Sequence, residues 1–207
     1  MIDMPKIEQL NIKHLRPVNS NSVCGVTLAN QNPQIIKGLK NAGIETYIDL
    51  RHNAGEELSR KCQNTGMNYF SLPLKMNYPV FINQANTKLT SQEYNETAQK
   101  FINELSKFFE LMNNGKYYMS CMLGLHRTDL AVTMNYLLNP EAPQAPPLLS
   151  HMHFAREENR IGPYVSAIKN LFKNFTDENK TMLKWNNIFE TGFNNRINLL
   201  KEINKFK

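Results

Sequence analysis

Short apolar segments typical of β-strands alternate with amphipathic helical segments along most of the chain. The predicted strands cover residues 22–29, 45–51, 67–74 and 116–120. The predicted helices cover residues 33–42 and 54–66, about 22 residues after Thr90, and residues 128–138. This alternation predicts an α/β fold in which a central, largely parallel sheet is flanked by helices. Residues 1–20, in contrast, are predicted to be irregular.

Capping signals set the boundaries of two of these helices. Asn32 can act as an N-cap, Pro33 suits the first helical turn, and Gly43 is a typical helix end. Thr90 and Glu93 have the spacing of a capping box. Apolar residues then recur at intervals of three and four, which predicts one long amphipathic helix.

A proline-rich stretch bears on the domain organisation. A chain of 207 residues fits one domain. The stretch PEAPQAPP, residues 140–147, is predicted to connect an α/β domain over residues 1–147 to an extension over residues 148–207. Apolar residues of the extension recur at helical spacing, so we expect it to be helical and packed on the same domain.

Charge and composition restrict the classes of partner. The formal net charge is +6 and the isoelectric point is about 9.2, which suits an anionic substrate. The basic residues are scattered, so no nucleic-acid partner is predicted. No apolar run is long enough for a membrane span, and no secretory signal is recognisable. We expect a cytoplasmic protein, although a bacterial effector exported by a dedicated machine would share these features.

The three cysteines, Cys24, Cys62 and Cys121, do not have the spacing of a metal site or of a disulfide framework. No metal and no other cofactor is therefore predicted. Cys24 and Cys62 are interpreted as small buried apolar residues. Cys121 differs from them because a glycine and an arginine follow it at close spacing.

Cys121 opens the segment CMLGLHRT between a predicted strand and a predicted helix. Ligands of parallel sheets bind at the carboxyl ends of the strands, which is where this segment lies. The backbone amides of the loop can point inward and bind a phosphate, and Arg127 can hold two of its oxygens. Gly124 permits the dihedral angles that such a turn needs. The predicted phosphate-binding residues are Met122, Leu123, Gly124, Leu125, His126 and Arg127.

The same residues predict a nucleophilic mechanism. The reactive form of cysteine is the thiolate, which a helix N-terminus and a nearby arginine stabilise. Thr128 can donate its hydroxyl to Cys121. The sulfur would attack phosphorus in line and form a cysteinyl-phosphate, which water then hydrolyses. The predicted reaction is the metal-independent hydrolysis of phosphate monoesters.

The pattern C-x-x-G-x-x-R-T resembles the loop of the cysteine-dependent protein tyrosine and dual-specificity phosphatase superfamily. Here it comprises Cys121, Gly124, Arg127 and Thr128. CMLGLHRTD is most similar to the loop of the atypical, plant and fungal type of dual-specificity phosphatase, some of which act on inositol pyrophosphates. The upstream segments LKNAGIETYIDLR and GMNYFSLPL also resemble this group. The resemblance covers roughly residues 15–140 and implies that Cys121 is the nucleophile and Arg127 the phosphate clamp.

Two positions and one loop depart from the family pattern. Ser120 stands where the family usually has histidine, and Leu125 stands where the closer subgroup has lysine. Many members carry a general-acid aspartate in the loop that corresponds to residues 74–90, which contain no Asp or Glu here. The candidates for this acid are therefore Asp129 and His126. A poor leaving group needs such an acid, because its oxygen must be protonated as it departs.

The residues leave several functions open. The leading hypothesis is a phosphatase acting on phosphotyrosine, phosphoserine or phosphothreonine in proteins, or on an inositol phosphate. The alternative is a pseudophosphatase that binds phosphorylated ligands without turnover, since Ser120 and the acid-free loop depart from the family pattern. A third possibility is sulfur or arsenate chemistry at a similar loop. The oligomeric state cannot be read from the sequence.

Overall fold

A computed structural model describes residues 1–51, 55–74, 89–125, 127–128, 131–132 and 135. Within these residues the elements follow in the order α1 (Met4–Glu8), β1 (Arg16–Asn19), β2 (Ser22–Val26), α2 (Pro33–Asn41), β3 (Thr46–Asp49), α3 (Glu56–Asn64), β4 (Asn68–Ser71), α4 (Ser91–Asn114) and β5 (Tyr117–Cys121). The loop after β5 leads into a helix that includes residues 127, 128, 131, 132 and 135. The predicted connector and the helical extension, residues 140–207, lie outside the described residues.

The described strands form one five-stranded sheet in the order β1-β2-β5-β3-β4. β5 runs parallel to both β2 and β3, and β3 runs parallel to β4, whereas β1 is antiparallel to β2. The prediction of an α/β fold with a central, largely parallel sheet is confirmed. β5 is the middle strand, and its last residue, Cys121, pairs with Val26 at the end of β2.

The predicted capping signals are present in the structure. Asn32 Oδ1 accepts a hydrogen bond from the Gln34 amide at 2.9 Å, and Pro33 is the first residue of α2. Thr90 and Glu93 form the complete capping box of α4. Local side-chain chemistry therefore fixes where these two helices begin, independently of the sheet.

The sheet buries a hydrophobic cluster against α1, α2 and α3. Tyr47 of β3 and Tyr118 of β5 are fully buried in it, together with Ile36 and Leu58 from the helices. Successive strand residues point to opposite faces, so Met119, also fully buried, belongs to the opposite face of β5. Each fully buried large apolar side chain contributes about 1.5–3 kcal/mol to stability. Both faces of the central strand are thus covered.

The prediction for residues 1–20 was wrong, because this segment contains α1 and β1. Asp3 caps α1 by accepting a hydrogen bond from the Lys6 amide, and Ile7 is fully buried. β1 comprises only four residues, includes Pro17, and depends on antiparallel pairing with β2. Proline is tolerated there because β1 is an edge strand. Such a short element is defined by its tertiary partner and leaves little periodic signal.

Candidate active site

Cys121 is the last residue of β5 and is only 4% exposed. Neighbouring backbone fixes its position on both sides. Val26 of β2 pairs with it, and the Leu50 amide donates a hydrogen bond of 2.8 Å to the carbonyl of Ser120. The thiol therefore lies at the carboxyl end of the central strand, where the sequence predicts it.

Gly124 makes the turn of the loop. Its φ is +70°, the left-handed region that favours glycine. It also packs directly on the backbone of β2, since a Cβ at this position would overlap the carbonyl group of Gly25 and lie 2.5 Å from the amide nitrogen of Val26. Both the dihedral angle and the close approach require glycine, so the loop is held against β2 at this point.

Arg16 is a residue of this site that sequence reasoning missed. Its Nη2 donates a hydrogen bond of 2.7 Å to the carbonyl oxygen of Gly124. The two residues are 108 positions apart in the chain, and the contact depends on the short edge strand β1. No local pattern around residue 16 marks it, so only the sheet order could have revealed it.

Ser120, the residue before Cys121, belongs to a buried hydrogen-bond network. Its hydroxyl oxygen lies 2.6 Å from that of Tyr47, and Tyr47 Oη accepts a hydrogen bond of 3.0 Å from the Leu28 amide. Burial raises the pKa of Tyr47 above its usual value, so the phenol keeps its proton. The network ties the residue before Cys121 to β3 and to the segment after β2.

A buried ion pair lies at the end of β3. The guanidinium of Arg51 binds Asp49 through its Nε and through Nη2 at 2.7 Å, and the Tyr69 hydroxyl donates a further hydrogen bond of 2.9 Å to the same carboxylate. Hydrogen bonding to Asp49 raises the pKa of Arg51, whereas burial and then the same carboxylate raise that of Tyr69. Both oxygens of Asp49 already accept hydrogen bonds, which indicates a structural role for this carboxylate beside the site.

Arg127 and Thr128 lie in the helix that follows the loop. Arg127 is partly exposed, and Thr128 is fully buried. Within the described part of the chain, the Thr128 hydroxyl makes no hydrogen bond, so its predicted bond to Cys121 stays a prediction. His126 and Asp129, the two candidate acids, lie outside the described residues. The same holds for residues 75–88, most of the acid-free loop.

Two large apolar side chains of the loop are exposed. Met122 and Leu123 directly follow Cys121 and are 58% and 53% exposed. Leu125 adds no charge to this region.

The other two cysteines are interior residues. Cys24 in β2 and Cys62 in α3 are both fully buried. Burial raises the pKa of the Cys62 thiol from 9.0 to about 12, so it remains protonated at neutral pH. This confirms their interpretation as small buried apolar residues.

In the described part of the chain, no group of three or more His, Cys, Asp or Glu side chains is placed to hold a metal ion. Nor does any helix in the same residues combine the length and apolar character that a membrane span requires.

Comparison with known proteins supports the fold. No protein-family model matches the chain, and no curated protein matches it in sequence. A crystal structure of the Shewanella putrefaciens CN-32 protein called "Putative phosphatase (DUF442)" matches with a TM-score of 0.50 at 16% identity, over 80% of this chain and 93% of that one. The two proteins share a fold. A second crystal structure of the same description has a TM-score of 0.48 at 15% identity, over 82% of this chain and 98% of that one.

Proposed function

We propose that this protein is a cysteine-dependent, metal-independent phosphatase that forms a cysteinyl-phosphate on the loop of residues 121–127. The observation that carries the proposal is the placement of Cys121. The thiol lies on the last residue of the middle strand of the described sheet, Gly124 turns the loop, and Arg127 lies in the next helix. The fold shared with the protein called a phosphatase agrees with this assignment.

The reaction uses groups that the chain itself supplies. The amides of residues 122–127 and the guanidinium of Arg127 bind the phosphate dianion. The Cys121 thiolate attacks phosphorus, and the bond from phosphorus to the substrate oxygen breaks as that oxygen takes a proton from Asp129 or His126. Water then attacks the cysteinyl-phosphate, releasing inorganic phosphate and the thiolate. The buried Thr128 hydroxyl would donate its hydrogen bond to that thiolate.

The rim of the loop favours an aryl phosphate carried by a protein. Met122 and Leu123 offer apolar surface beside the nucleophile, which suits the ring of phosphotyrosine. A highly phosphorylated inositol needs several cations, yet position 125 carries leucine where the closer subgroup has lysine. We therefore propose phosphotyrosine, ahead of inositol phosphates, as the substrate class. In this specificity the protein would differ from the atypical, plant and fungal type of dual-specificity phosphatase.

Trapping the intermediate tests the proposal directly. The protein is mixed with excess 4-nitrophenyl phosphate, quenched in acid and digested. We expect the mass of one phosphoryl group on the peptide that contains Cys121, and none on the peptides of Cys24 or Cys62. Cys121→Ser should show no such adduct, whereas the matched Cys62→Ala should retain it. Release of 4-nitrophenol without a phosphoryl adduct on Cys121 in any of the quenched samples would contradict the mechanism.

The Ser120 network also supports a second function. The hydroxyl of Ser120 is engaged by Tyr47 in a buried site, where the family usually supplies a histidine. A loop that binds phosphate but turns it over poorly would make the protein a pseudophosphatase that holds phosphorylated ligands. It would bind orthovanadate and show negligible release of 4-nitrophenol, even though this leaving group needs little help from an acid.

A further inference from the structure

We propose that Arg16 is a positioning residue that sets the shape of the phosphate-binding loop through the carbonyl group of Gly124. This inference rests on the proposed function of the loop. The contact is a hydrogen bond of 2.7 Å from Nη2 of a partly buried guanidinium on β1. Arg16 contacts the loop from outside it, two strands away from β5.

The geometry of the peptide unit explains what this contact does. The carbonyl of Gly124 and the N–H of Leu125 belong to one planar, trans peptide, so they point in opposite directions. Arg16 holds the oxygen on the side of β1. The Leu125 N–H must then point away from the Arg16 guanidinium, and in the proposed mechanism this is the side on which the phosphate binds. Arg16 therefore presents one of the amides that the bound phosphate requires.

Two glycines make this contact possible. Gly124 packs on the backbone of Gly25 without a side chain between them, which brings the loop down onto β2. Gly25 also leaves no room for a side chain, since a Cβ there would lie 2.6 Å from the hydroxyl of Tyr118 and 3.1 Å from Ile12. Neighbouring strands are about 4.8 Å apart, so the long side chain of Arg16 can reach across β2 once the loop lies against it.

A backbone hydrogen bond also holds β2, the strand that contains Gly25, against the segment before β1. The Val26 amide donates a hydrogen bond of 3.1 Å to the carbonyl of Lys13, just before β1. The Cα of Arg16 itself pairs with that of Cys24. The segment of residues 13–16 therefore contacts β2 through its backbone and contacts the loop through the side chain of Arg16. The guanidinium also adds positive charge close to where a dianion would bind, which favours its binding electrostatically.

Three variants test the role of Arg16. Arg16→Met removes the donor and the charge, Arg16→Lys keeps the charge but loses the planar fork, and Arg60→Met is the matched control on the exposed face of α3. The measurements are kcat and KM for 4-nitrophenyl phosphate, the dissociation constant of orthovanadate, and urea unfolding. Loss of one preorganised donor costs about 10²–10³ in rate, so we expect kcat/KM of Arg16→Met to fall by about that factor.

The vanadate measurement separates positioning from folding and from turnover. We expect vanadate to bind Arg16→Met about 100-fold more weakly than wild type and Arg16→Lys about 10-fold more weakly, with Arg60→Met within about twofold. If Arg16→Met does not fold, Arg16→Lys beside Arg60→Lys gives the same comparison. Unchanged vanadate affinity and kcat/KM in the folded Arg16 variants would overturn the inference. A wild type that binds vanadate without turnover refutes the phosphatase and leaves the Arg16 comparison intact, whereas one that binds none refutes both.

Discussion

The hydroxyl oxygens of Tyr47 and Ser120 lie 2.6 Å apart in the interior, one residue before the candidate nucleophile Cys121. Tyr47 is on β3 and Ser120 on β5, and the two strands are neighbours in the sheet. The bond therefore joins the base of the phosphate-binding loop to the strand that also carries Asp49. The position before Cys121 is thus occupied by a satisfied polar group.

We predict that Tyr47 and Ser120 are coupled energetically. Tyr47→Phe leaves the Ser120 hydroxyl and the Leu28 amide without this buried partner, which costs about 1–3 kcal/mol of unfolding free energy. Ser120→Ala should cost less, because it leaves the Tyr47 hydroxyl bonded to the Leu28 amide. Urea unfolding of both single variants and the double variant gives the coupling energy, which we expect to be about 0.5–3 kcal/mol. If the losses of unfolding free energy in the two single variants add up to that of the double variant, the contact contributes nothing to stability.

Gly124 and Gly66 form a matched pair for a second prediction. Both have a φ of +70°, but a Cβ at Gly66 would meet nothing within 4 Å, whereas one at Gly124 would overlap the backbone of Gly25. Gly66→Ala should cost only the left-handed strain, about 1–2 kcal/mol. Gly124→Ala should cost more and should abolish phosphate binding, because the loop must lift off β2. Equal losses of unfolding free energy in the two variants would contradict the close packing of the loop.

The sequence predicted the parts of the fold that rest on local chemistry. Asn32 and the Thr90 capping box mark helix starts by themselves, and the alternation of strands and helices predicts the parallel sheet. β1 was missed because a four-residue edge strand containing Pro17 exists only through its pairing with β2. Its absence from the prediction also hid Arg16.

In the candidate site, too, the sequence predicted the local part and missed the long-range contacts. The loop from Cys121 to Arg127 is contiguous in sequence, so spacing alone predicts it. The contacts of Gly124 with Arg16 and Gly25 join residues about a hundred positions apart, and no local sequence pattern predicts them. The bond between Ser120 and Tyr47 spans 73 positions and depends on the register of β3 and β5. Such contacts follow from topology, which periodicity does not specify.

The buried thiol of Cys62 gives a prediction about pH. Its folded pKa is raised from 9.0 to about 12, chiefly by burial and then by the Asp49 carboxylate. Below pH 9 both the folded and the unfolded states hold the proton, so the contribution to stability is complete. Above it the unfolded thiol loses its proton first, and stability falls as pH rises toward 12.

Urea unfolding from about pH 8 to about pH 10.5 measures this dependence. One thiol accounts for at most about 1.4 kcal/mol per pH unit, and the buried tyrosines add to the slope in every variant. We expect Cys62→Ala to lose stability less steeply with pH than the wild type. Parallel curves for the two proteins would show that Cys62 ionises equally in both states.

The exposed apolar side chains of Met122 and Leu123 predict a preference for aryl phosphates. Leu123→Ser removes apolar surface worth about 1 kcal/mol, so kcat/KM for a phosphotyrosine peptide should fall about fivefold. Glycerol phosphate, which has no ring to contact the rim, serves as the internal control and should react at an unchanged rate. Equal losses on both substrates would mean that Leu123 supports the loop itself and does not contact the leaving group.

The most direct test of the account is the hydrolysis of 4-nitrophenyl phosphate in the presence of EDTA, from about pH 4 to about pH 8, by the wild type and by Cys121→Ser. The aryl leaving group departs with little help from an acid, so the assay isolates the nucleophile. We predict that the wild type releases 4-nitrophenol without added metal and that Cys121→Ser is slower by at least about 10³-fold, while both proteins bind orthovanadate. Equal release by the two proteins, or release that EDTA abolishes, would contradict a phosphatase built on Cys121.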